Sequence, residues 1–133
     1  MSPFHQVDVL HDGRIVCIRR SARRFEGAQD LRLERSLLVE KLNGIGRAGR
    51  GLLIDSRSAP HSTDDKLQEE FRRFRIDVAR GFARVATVVR TKVAILQVNR
   101  LCADPALTVQ PFDDEAAAIS YLLSQLPSTP AAR

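Results

Sequence analysis

Tryptophan is absent from this chain, tyrosine and methionine occur once each, and only two cysteines are found in 133 residues. Each scarcity removes a class of protein. Cys17 and Cys102 are too few and too far apart for a metal knuckle or a disulfide framework. They are expected to be reduced thiols acting as small core hydrophobes in a cytoplasmic protein. His5, His11 and His61 are scattered without metal-ligand spacing, so neither a metal nor a cofactor is expected. Aromatic residues make up 5% of the chain and do not interleave with basic ones, so no stacking platform for nucleic acid can be read. No apolar run approaches the length of a membrane span. The opening MSPFHQVDVL has neither a basic n-region nor a long apolar stretch, so no secretion signal is read. No segment supplies a nucleophile elbow. His61 beside Ser62 is the nearest approach to a catalytic pair, and loop neighbours do not in general point at each other. A non-enzymatic protein is the expectation.

What is present is ordinary for a globular chain: 44% hydrophobic and 28% charged residues, enough for a single core. One domain is expected over residues 1–126, with 127–133 as a tail. The net charge is +5, almost all of the positive charge being arginine. The arginines are spread along the chain. A basic chain can bind nucleic acid or an acidic partner, and only clustering would separate the two; dedicated nucleic-acid binding is the less expected.

The stretch GLLIDSRSAPHSTDDKLQEEF, residues 51–71, organises the rest. Gly51 to Ile54 is apolar and short, a buried strand. Asp55 to His61 is polar and contains Pro60, which makes it a turn. After it Leu67, Phe71, Phe74 and Val78 recur at helical spacing over a helix from Asp64 to Ala79. Upstream, Val7–Leu10 and Arg14–Arg19 flank Asp12-Gly13 and predict an antiparallel hairpin. Asp30 to Leu42 predicts a helix with Leu31, Leu38 and Leu42 on its inner stripe. Arg32, Glu34, Arg35 and Lys41 face outward, and Asn43-Gly44 stops it.

Residues 44–49 spell GxGxxG, but a helix precedes them and a strand follows. That is the reverse of the dinucleotide order, and a plain connection is read instead. Downstream, Phe82–Val89 is a strand and 92–102 a short helix or strand. Leu107–Phe112 is an edge strand marked by Pro111. A final helix opens on Asp113-Asp114-Glu115 and buries Ala116, Ile119, Leu122, Leu123 and Leu126. The resulting order, β-β-α-β-α-β-α-β-α, predicts an α/β fold: a small mixed, mostly parallel sheet of about five strands with about four helices.

Three stretches, GLLIDSRSAP with the following helix, GFARVATVVRTKVAILQVNRL, and VQPFDDEAAAISYLLSQ, resemble the STAS / SpoIIAA-like domains. The resemblance is to stand-alone bacterial SpoIIAA-like proteins and, with the hairpin, covers nearly the whole chain. It implies a small mixed sheet with helices packed mainly on one face. It also implies a regulatory domain that binds protein partners. In antagonist-type members a serine of an Asp-Ser-Ser-Gly motif is phosphorylated at the start of the helix after the central strand. The matching place here reads His61-Ser62-Thr63-Asp64, so the resemblance offers Ser62, then Thr63, as phosphoacceptors. The leading aspartate and the glycine are replaced. A phosphate there would meet the charges of Asp64 and Asp65, so helix capping by Ser62 or Thr63 is the simpler role.

The expected docking surface for a protein partner comprises Asp55, Arg57, Ser58 and His61, with Arg72, Arg73 and Arg75 on the next helix. The guanidinium groups suit an acidic partner. Asp55 at the strand end has two readings, a functional carboxylate or a cap for a neighbouring amide. A small-ligand or lipid-binding module walled by Phe82–Val89 is the alternative function. Homodimerisation through a sheet edge or the last helix is left open, and no membrane association is expected.

Overall fold

A computed structural model describes residues 2–60, 67–91 and 109–124. Five strands form one sheet in the order β1-β2-β3-β4-β5. β1 (His5–Leu10) and β2 (Ile15–Arg20) pair antiparallel. β3 (Gly51–Asp55), β4 (Arg84–Val88) and β5 (Gln110–Phe112) follow in parallel. The apolar run of residues 51–54 is thus the middle strand, as its length and hydrophobicity predict. The β1–β2 turn is the expected one: Asp12 and Gly13 have φ of 57° and 84°, and the Arg14 N–H closes onto the His11 carbonyl at 3.1 Å.

Strand alternation sorts the core into two layers. Val16, Ile18, Leu52 and Val85 meet Leu38 and Leu42 of α1 (Ala28–Ile45) and Val78 of α2 (Gln68–Ala79). Ile15, Cys17, Leu53, Ala86 and Val88 meet Ala118 and Leu122 of α3 (Glu115–Ser124) on the opposite face. Two of the three described helices therefore share one face, and α3 covers the other. The short helix or strand predicted over 92–102 lies outside the described residues, as do the 127–133 tail and Cys102. Cys17 is wholly buried, and burial pushes its thiol up to about 11.

Three local expectations are corrected. α1 does not stop at Asn43-Gly44. It runs to Ile45, which packs against the core, and ends at Gly46, whose φ of 98° only glycine adopts readily. In α3 Ala116 is exposed and Ala118 takes the buried place, because the stripe runs Ala118, Ile119, Leu122. Glu34 is buried rather than outward, at 3% exposure, and Glu70 of α2 is buried as well, at 8%. Glu34 accepts hydrogen bonds from Ser2 and His5. Glu70 joins the helices, with Arg32 at 3.0 Å and Arg35 at 3.7 Å.

The GxGxxG stretch has a structural task. The Arg47 guanidinium donates to the carbonyls of Asp77, Val78 and Arg80 at 2.7, 3.2 and 2.6 Å, capping the negative end of α2. Gly81, just beyond that cap, has φ of 86°, and an added Cβ would lie 3.3 Å from Arg47 Cδ. Gly44 sits inside α1, and a Cβ there meets nothing within 4 Å. The two glycines should therefore respond oppositely to alanine. Gly81→Ala should destabilise by about 1 kcal/mol. Gly44→Ala should stabilise by up to about 1 kcal/mol. Urea midpoints measured at unchanged m-value check the signs.

Candidate functional site

The C-terminal ends of the parallel strands form a rim where four charged side chains converge. Arg19 at the end of β2 stands in register with Asp55 at the end of β3. Its Nη1 donates to Asp55 Oδ2 and to Glu115 Oε1, each at 2.7 Å. Arg57 completes the network from the loop after β3. Its Nε and Nη2 hold the two Asp55 oxygens at 2.9 Å each, and Nη2 also reaches Glu115 at 3.0 Å. The Arg57 backbone N–H donates to Asp55 Oδ1 at 3.1 Å, so Asp55 also caps the loop as an aspartate turn does. Arg90, beyond β4, donates to the Arg57 carbonyl. Glu115 is brought here because Asp114 starts α3, its Oδ2 accepting the Ala117 N–H at 3.1 Å.

The electrostatics follow from these contacts. Hydrogen bonds from Arg57, strengthened by Arg19, outweigh burial and hold Asp55 down at about 2. The Arg19 hydrogen bond lowers Glu115, and Arg19 and Arg57 are held more firmly protonated by the same pairs. Asp55 therefore stays ionised with both oxygens engaged, a poor arrangement for taking up a proton. Among the described residues no group of His, Cys, Asp and Glu is placed to hold a metal ion.

Asp55 and Arg57 thus come together, while Ser58 lies exposed beside them. His61, Ser62 and Thr63 fall outside the described residues. The three α2 arginines do not share a face. Arg72 and Arg73 are exposed next to Glu69, at 3.6 and 3.4 Å, whereas Arg75 is half-buried and lines a cavity. Arg19 and Glu115 escaped sequence reading. The signal was present for Arg19, a charged residue closing a buried strand beside the central one.

The inner side of the same loop lines an apolar cavity of about 260 Å³ between the sheet and α1–α2. Ser56 and Ala59 contribute from the loop, and Thr87 and Val89 from β4 and its end. Four of the six phenylalanines gather around it or its approach. Phe4 stacks on Phe25 at 4.3 Å, Phe25 meets the edge of Phe71 at 6.0 Å, and Phe74 stacks on His5 at 5.4 Å. The Arg20 guanidinium lies over Phe25 at 4.6 Å and Arg23 over Phe4 at 5.6 Å. Basic and aromatic residues that do not interleave along the chain are thus brought together by folding.

A five-stranded, mostly parallel sheet with this strand order and helices on both faces defines a small α/β domain of the SpoIIAA-like type. Among solved structures it matches an uncharacterized protein of the DUF3478 family, with a SpoIIAA-like fold, from Shewanella loihica PV-4. The match covers 92% of this chain and 98% of that one at a TM-score of 0.65 and 16% identity. The fold is accordingly SpoIIAA-like, as the resemblance in the sequence implies. No protein-family model matches the chain, and no curated protein does.

Proposed function

We propose that this chain is a non-catalytic regulatory or scaffolding domain that acts in the cytoplasm and binds an acidic protein partner at the C-terminal rim of its sheet. The observation that carries this reading is the network around Asp55. It fixes the loop after the central strand and holds the Arg57 guanidinium, 42% exposed, in one position. Arg19, Arg57 and Arg90 bring three guanidinium groups to the rim, the first two paired with Asp55 and Glu115. Arg72 and Arg73 add guanidinium groups along the exposed side of α2. A preorganised guanidinium surface suits carboxylates on a partner, and the engaged state of Asp55 offers no general base.

Affinity capture from the native source, quantified by mass spectrometry, tests the reading. The triple change Arg72→Glu/Arg73→Glu/Arg90→Glu should reduce capture of the partner by about tenfold or more, the equivalent of about 1.4 kcal/mol. If every protein held by the parent is retained at the same level, the rim is not the docking surface.

A second reading, a small-ligand module of the same fold, is favoured by the apolar cavity beneath the loop. Small-molecule sites are concave and mostly apolar with a few polar groups, and this space is lined in that way.

A further inference from the structure

The cavity beneath the loop has a neighbour. A second space of about 270 Å³ is lined by Arg24, Glu26, Pro60 and Leu67. Arg20, Phe25, Ala59 and Phe71 stand in the walls of both spaces, so the two adjoin along those four side chains. The inner space is almost entirely apolar, walled by Ile18, Leu38, Phe74, Val78 and Val89 among others. Its volume of about 260 Å³ admits a small apolar body.

Arg20 is the distinctive residue at the junction. Its guanidinium lies on the Phe25 face at 4.6 Å. Through Nη1 it donates to the carbonyls of Phe4 and Ser21 at 3.3 and 2.7 Å, and to the Ser21 hydroxyl at 3.4 Å. None of these acceptors is charged, and among the described residues no carboxylate lies in ion-pair contact with it. Burial works against its charge, with Glu34 giving only through-space support. Arg20 therefore sets a planar donor suited to two oxygens beside a largely apolar space.

We propose that the two spaces form one site for a monocarboxylic acid with a small apolar body. The carboxylate lies against Arg20 at the junction, and the body fills the inner space. This assignment rests on the small-ligand reading above and adds to it the headgroup and the residue that recognises it. Straight-chain and aromatic acids share the chemistry, and comparing octanoate with phenylpropanoate separates them.

The test is titration of the 133-residue chain, labelled at leucine and valine methyls, with octanoate, phenylpropanoate and the neutral 1-octanol. Octanoate or phenylpropanoate should shift the methyls of Leu38, Val78 and Val89 and bind roughly tenfold or more tightly than octanol. Arg20→Met should remove that preference, while Arg20→Lys should keep part of it. The parent comparison needs no variant, so a folding defect in Arg20→Met does not blunt the test. Equal binding of acid and alcohol would overturn the Arg20 assignment and leave the small-ligand reading standing. Binding by none of the three would sink both. Binding without shifts at those methyls would place the ligand elsewhere and overturn the site.

Discussion

Replacing His5 with leucine should cost the fold about 3 kcal/mol or more. The reason is Glu34, whose side chain is 3% exposed and whose Oε2 accepts from His5 Nδ1 and from the Ser2 hydroxyl, the latter at 2.6 Å. Burial pushes the Glu34 carboxyl up. The hydrogen bonds from His5 and Ser2, with the charges of His5 and Arg20, outweigh that and hold it below the usual carboxylate range. With His5 gone, a buried carboxylate keeps only a serine hydroxyl and a distant charge. The double change His5→Leu/Glu34→Leu removes the stranded group as well as its partner and should be less damaging than His5→Leu alone. Urea denaturation of the parent, both single variants and the double variant at neutral pH completes the cycle. A His5→Leu protein within about 0.5 kcal/mol of the parent would show that the pair contributes nothing, since that is the range of an ordinary surface substitution.

The Asp55→Asn variant should lose about 2 kcal/mol at neutral pH, and the loss should vanish in acid. Asp55 has an ordinary value of 3.8 and is held at about 2 in the folded chain. A difference of nearly two units corresponds to about 2 kcal/mol. Because the folded value is the lower one, the stabilisation is fully present above pH 3.8. It declines as pH falls toward about 2 and is gone below that. Asp55 is 12% exposed, but Arg19 and Arg57 are 36% and 42% exposed, so solvent screening makes this an upper value. Unfolding titrations of parent and variant at several pH values from 7 down to about 2 should therefore converge. A gap that stays constant across that range would locate the loss in the turn geometry rather than in the charges.

These two sites differ in how readable they were. Asp55 was accessible: it follows four apolar residues, so it must emerge at the end of a buried strand, and both readings offered for it concern that position. Its contact with the Arg57 amide is local, two residues away. Its link to Glu115 through shared arginines joins residues far apart in the chain and could not be read from spacing. Glu34 is the opposite case. It lies three residues after Leu31 and four before Leu38, on the buried stripe, yet a carboxylate there is properly expected to turn outward. Burying a charge is unfavourable unless partners are supplied, and its partners come from the N-terminal segment, 32 and 29 residues away. The phenylalanines behave likewise. Phe71 and Phe74 are legible as one helix face, whereas their meeting with Phe4, Phe25 and Arg20 depends on how β1 and α2 pack.

The amino-acid order by itself determined the five strands, the three described helices, the hairpin turn and the parallel progression of the sheet. Those features follow from periodicity and turn chemistry acting over a few residues, and the backbone permits few alternatives at that range. The tertiary structure decided which charges are buried, which arginines share the rim and where the aromatic rings enclose a cavity. Those outcomes depend on partners remote in sequence, whose contribution exists only once the layers close and water is excluded from between them.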